Sequence, residues 1–146
     1  TTVYRQVQFA ELEKFIHNEI SAGRTLQAEK LENYWLDSNK RYYGEALTVD
    51  KELASEWSRI PHFYTPFYVY KYATGYSAAT AFAASILKGE EGAVEKYLGF
   101  LHAGGSDYSL NILKNAGVDL NTPQPVTVTL QKFAEKVAEL KKLLGK

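Results

Sequence analysis

The stretch RIPHFYTPFYVYKYATGYSAA, Arg59 to Ala79, sets seven aromatic rings and one histidine between two prolines and a run of small residues. Five of those rings are tyrosines. A buried phenol must find a hydrogen-bond partner or cost free energy, so phenylalanine would fill the same space more simply. The imidazole of His62 and nearby phenols could serve as neutral donors aimed at a negative oxygen. Phenols suit that task because a pKa near 10 keeps them protonated at neutral pH. Losing one oxyanion donor typically costs on the order of 100-fold in rate, roughly 3 kcal/mol. An aromatic core with internally bonded hydroxyls explains the same residues, and spacing alone leaves both readings open.

The elements that would carry these side chains are helical. Thr65-Pro66 reads as a helix start, a capping residue followed by proline at the first helical position. At about 100° per residue, Tyr68, Tyr72 and Tyr76 then share one stripe, while Phe67, Tyr70 and Thr74 lie on another. At most one or two phenols can therefore share a pocket with His62. From Phe67 to Leu87 only Lys71 is charged. The run is rich in Ala, Tyr, Ser and Thr instead of Leu and Ile, which favours the central helix of a helical bundle over a membrane span.

The remaining segments repeat the helical signal. Phe9, Leu12, Ile16 and Ile20 recur at spacings of three and four, predicting a helix from about Val3 to Ala22 with Gly23 as its stop. Thr25 is placed to cap the next helix, whose stripe is Leu31, Tyr34, Trp35 and Tyr42 and which Gly44 ends. An extended stretch from Ala46 to Val49 leads to Asp50 and a brief helix that Pro61 terminates. Val94, Tyr97, Leu98 and Leu101 mark a short helix closed by Gly104-Gly105, and another short one spans Ser106 to Asn115. Val126, Leu130, Phe133, Val137, Leu140 and Leu144 form one stripe on the last helix. That stripe predicts packing onto the chain's own body, with a coiled-coil contact as the alternative. The expected fold is all-α, an irregular bundle of about six to seven helices in a single segment, 1–146, around a central apolar Tyr/Ala-rich helix.

Other chemistries find no support. The histidines are His17, His62 and His102, with no pair at i, i+4, no His-Glu-x-x-His, and no tight Asp/Glu cluster, so no metal ligand is expected in this chain. Phosphate loops and a Gly-x-Ser-x-Gly turn are absent. His17 reads as a helix-surface or interface residue, and His102 as a cation at a helix C-terminus. The 146 residues contain no cysteine, which excludes disulfides and thiolate chemistry and allows a reducing compartment. Lys plus Arg and Asp plus Glu stand at 17 each, so no bulk field attracts nucleic acid or an anionic membrane. The opening residues, from Thr1, do not form a signal peptide. The lack of any methionine suggests a piece of something longer.

Four segments carry a family resemblance: IPHFYTPFYVYKYATGYSAA, YRQVQFAELE at Tyr4 to Glu13, YYG at Tyr42 to Gly44, and YLGFLHAGGSDYSLNILKNAGVDL at Tyr97 to Leu120. Together the chain resembles the C-terminal region of the oligoendopeptidase F family, zinc metallopeptidases akin to thimet oligopeptidase. The resemblance implies an all-helical fold and hydrolysis of short peptides in the cytoplasm. It also implies one zinc, held by a His-Glu-x-x-His helix and a later glutamate, all absent from this chain. By the same resemblance His62, Tyr68 and Tyr70 are the catalytic candidates that contact the substrate carbonyl and the tetrahedral oxyanion. Tyr64, Tyr72, Gly104 and Gly105 are substrate-binding candidates. The implied partners are peptide substrates and the missing zinc-binding portion, without which this polypeptide is expected to be inactive. Self-association through an exposed apolar face is expected too. The competing reading is a stand-alone helical domain that binds a peptide or partner helix. Nucleic-acid stacking would need more cations than Arg59 and Lys71 near the tyrosines.

Overall fold

The computed structural model describes residues 2–145. Six α-helices follow one another: α1 (Thr2–Ser21), α2 (Ala28–Tyr43), α3 (Tyr70–Leu87), α4 (Ala93–Ala103), α5 (Ser109–Asn115) and α6 (Gln124–Leu143). Two 3₁₀ segments, Lys51–Arg59 and Pro61–Tyr64, fill the interval between α2 and α3. No strand occurs among the described residues, so the all-α expectation holds. No helix among them is long and apolar enough to cross a membrane. The chain divides into two compact units, Thr1–Ala73 and Thr74–Lys146.

In the first unit the α1 stripe buries Phe9 and Leu12 against Leu31 and Trp35 of α2, with Ile60 and Val69 completing the cluster. Phe9 stacks on Trp35 with ring centroids 5.5 Å apart and meets the edge of Phe63 at 5.7 Å. The Arg5 guanidinium lies 4.6 Å from the Phe9 centroid and pairs with Glu56 at 2.5 Å. Trp35 is fully buried. Trp35→Ala should destabilise the protein by about 3–5 kcal/mol, read as a lower urea midpoint with an unchanged m-value.

α1 stops where expected, by a mechanism the glycine permits. Gly23 sits at φ 70. The Gly23 amide donates to the Ile20 carbonyl at 2.9 Å and the Arg24 amide to the Glu19 carbonyl at 3.0 Å, which uses carbonyls the helix leaves open. The next cap departs from expectation. α2 begins at Ala28 with Gln27 at its N-cap and no side-chain cap bond, so Thr25 caps nothing. An ion-pair knot holds this loop instead. Arg24 grips the carboxylate of Glu19 at 2.7 and 2.9 Å, and Lys30 bonds the same group.

The Arg24 and Lys30 hydrogen bonds outweigh burial and lower the Glu19 pKa to about 2 from 4.5. A depressed carboxylate pKa stabilises the fold above the unfolded value and loses that contribution as pH falls through the folded one. The Tm difference between wild type and Glu19→Gln should therefore be constant around neutrality and close between pH 4.5 and about 2. Circular-dichroism melts across that range check it, and a gap that widens on acidification would contradict the assignment.

α3 corrects two expectations. It starts at Tyr70, four residues after Pro66. Phe67 is left-handed at φ 56, which no first-turn helical residue adopts, and Val69 dives into the core before the helix begins. The helix is also not buried all round. Ala73, Ser77, Ala78, Ala81 and Phe82 are buried, whereas Tyr70, Tyr72 and Tyr76 face outward. In the second unit Ala78, Ala81 and Phe82 pack with Ala116 and Val118, joined by Tyr97, Phe100, Leu113 and Leu120. The stripe of α6 is exposed from its start: Val126, Leu130, Phe133, Leu140 and Leu144 are all exposed, as is Leu143 at 78%. The buried residues of this helix, Pro125 and Thr129, are not stripe positions, so the expected packing of the stripe onto the chain's own body is not what the structure shows.

Candidate active site

His62 is displayed by its neighbours. Ile60 is buried before it, and Phe63 is pinned against Phe9 after it. The short 3₁₀ turn Pro61–Tyr64 closes when the Thr65 amide donates to the His62 carbonyl at 3.0 Å. The imidazole is left half-buried, at the rim of an open depression of about 290 Å³ lined by Pro61, His62, Thr65 and Tyr68.

Three rings form a triangle there. The His62 centroid lies 5.9 Å from Tyr68 and 6.2 Å from Tyr72, and the two phenol rings are 5.6 Å apart, edge to face. The Lys71 ammonium stands 5.0 Å from the Tyr68 centroid. Tyr72 has a raised pKa, first because of its side-chain hydrogen bond with Tyr68 and then because of burial. Both changes favour the neutral phenol. Tyr68 is 39% exposed and Tyr72 36%, so their hydroxyls remain within reach of a bound molecule.

The other candidates are placed as follows. Tyr70 is the first residue of α3 and is exposed. Tyr64 is 84% exposed. Gly104 and Gly105 follow α4 in the second unit, where Gly104 at φ 53 and ψ −122 adopts a backbone only glycine tolerates. His102 bonds the Leu98 carbonyl through Nδ1 at 2.8 Å, in the last turn of α4 where a cationic ring is favoured. His17, expected at a helix surface or an interface, is half-buried against the Phe67 ring at 4.6 Å.

Two residues at this site were not among the site candidates read from the sequence. Thr65 lines the depression and brings a hydroxyl to it. Glu13 is buried in α1, and its Oε1 accepts the Phe67 amide at 2.6 Å. The signal for Glu13 was present, since it stands one turn from Phe9, beside Leu12 and within the apolar stripe, where a carboxylate is out of place unless paired.

A model of peptidase family M3 matches residues 1–132. The chain belongs to that family. The M3 chain is 49% identical to oligopeptidase PepF of Bacillus subtilis over 145 residues, 99% of its own length and 22% of that protein's. It is 41% identical to the plasmid-borne oligoendopeptidase F of Lactococcus lactis subsp. cremoris, again over 99% of the chain and 24% of the relative. The crystal structure of oligoendopeptidase-F from Enterococcus faecium superposes with a TM-score of 0.95 at 44% identity, covering 99% of this chain and 28% of that one. A putative peptidase from Chlamydophila abortus gives 0.91 at 43% identity, over 97% and 24%. This M3 chain thus spans about a quarter of the length of the relatives it matches.

Among its described residues no three His, Cys, Asp or Glu side chains stand together as a metal would require. The residues present therefore do not fit the zinc ion the family resemblance implies.

Proposed function

We propose that this chain is the C-terminal part of the catalytic domain of a larger oligoendopeptidase F-like peptidase, cytoplasmic and acting on short peptides. Any zinc would be held by sequence outside the chain. Within it, His62 and Tyr68 donate hydrogen bonds to the substrate carbonyl and to the oxyanion that grows from it. Tyr72 packs edge to face against Tyr68 and, with Tyr64, Gly104 and Gly105, contacts the peptide. Tyr70 is the alternative donor carried by the resemblance.

The observation that supports this reading most is the triangle of His62, Tyr68 and Tyr72 beside an open depression, built from groups that donate while neutral. A purely structural aromatic cluster would have no need to stand at a surface depression with its phenols part-exposed. Tyr68→Phe, Tyr70→Phe and Tyr72→Phe in the full-length peptidase, assayed for kcat and KM on a fluorogenic peptide, test it.

The uncovered stripe of α6 supports the larger protein. Leu140, Leu143 and Leu144 form apolar surface of the kind that another part of a fold or a second chain covers. A stand-alone domain that binds a partner helix remains the second reading, and the same stripe is the feature that favours it.

A further inference from the structure

Glu13 carries a carboxylate into the core of α1 with only 5% of its surface exposed. A charge in that position needs a hydrogen-bonded partner. It has one in the backbone of a distant turn: Oε1 accepts the amide N–H of Phe67 at 2.6 Å, 54 residues along the chain. One helical turn further on, the His17 ring lies against the Phe67 ring. Phe67 is the one non-glycine residue with positive φ among those described. Left-handed backbone is disfavoured for a bulky side chain and persists only where the surroundings hold it. The next residue is Tyr68.

We propose that Glu13 is a positioning residue for the reaction. By accepting the Phe67 amide it keeps that residue left-handed, and the turn then delivers the Tyr68 phenol beside His62 and Tyr72. This rests on the reading of the ring triangle as the donor site. Without the carboxylate, Phe67 relaxes toward negative φ. The peptide that follows rotates, and Tyr68 leaves its place at the depression. A shift of about 1 Å in a catalytic group can cost on the order of 100-fold in rate.

Two variants of the full-length peptidase separate positioning from simple support. Glu13→Met keeps the approximate shape and removes the acceptor; Glu13→Gln keeps an acceptor oxygen. Glu13→Met should lower kcat by about 10- to 100-fold with KM nearly unchanged, and Glu13→Gln should recover most of it. A Glu13→Met enzyme that turns over at the wild-type rate overturns the proposal whatever its Tm, as does a Glu13→Gln enzyme equally impaired. Should Glu13→Met fail to fold, hydrogen exchange in the unmodified enzyme decides. A protected Phe67 amide is expected, and one that exchanges freely overturns the proposal. A crippled Tyr68→Phe beside a normal Glu13→Met ends the positioning role alone. Tyr68→Phe at the wild-type rate removes the donor-site reading and this inference with it.

Discussion

Tyr68→Phe in the full-length peptidase should lower kcat by about 100-fold, equivalent to ~3 kcal/mol, with KM nearly unchanged. The substitution deletes one hydroxyl and keeps the ring, so the contacts with His62 at 5.9 Å and Tyr72 at 5.6 Å survive. What is lost is a donor whose bond strengthens as negative charge develops on the carbonyl oxygen. An interaction made mainly in the transition state leaves KM alone. Tyr72→Phe should cost less, about 10-fold, because Tyr72 contacts the peptide beside Tyr68 instead of the growing oxyanion. A Tyr70→Phe enzyme slower than Tyr68→Phe would transfer the donor role to Tyr70. Wild-type rates in all three variants would remove the role from this segment.

The 146-residue chain on its own should show no peptide hydrolysis, with zinc added or without. The donors around His62 stabilise charge once it appears, but nothing among the described residues offers a metal ligand group, and the donors themselves attack nothing. The same preparation should bind a hydrophobic dye and self-associate through the stripe that ends in Leu140, Leu143 and Leu144. Turnover by the pure chain, measured after an immunodepletion control for contaminating peptidase, would refute the division of labour. A monodisperse chain that excludes dye would favour the stand-alone domain.

The two results bear on different parts of the catalytic site. A slow Tyr68→Phe with an inactive isolated chain fits a site shared between this segment and the rest of a longer polypeptide. An active isolated chain would mean that His62, Tyr68 and their neighbours do more than stabilise charge. The Glu13 variants then ask a narrower question, how the turn before α3 is held.

Much of the architecture was legible because helices are decided locally. Phe9, Leu12 and Ile16 repeat with the helical period, and Gly23 and Gly44, each at φ 70, stop α1 and α2 where their backbone freedom is needed. His62 and Tyr68 could be named as candidates from residue chemistry and a family resemblance. Local rules failed at Thr25 and at Thr65-Pro66. Each has the side chains of a helix start, but a cap preference is worth only about 1 kcal/mol. In the structure an ion-pair knot at Glu19 holds the loop around Thr25, and Glu13 accepts the Phe67 amide just after Pro66.

The order of residues by itself determined that this protein is helical, where most helices stop, and which side chains could donate a hydrogen bond while uncharged. Tertiary structure decided that α3 begins at Tyr70 and that Tyr72 joins Tyr68 beside His62. The physical reason is range. Periodicity and stop signals act over a few residues, whereas the conformation of Phe67 is set by a buried carboxylate 54 residues earlier, which no local pattern around Phe67 contains.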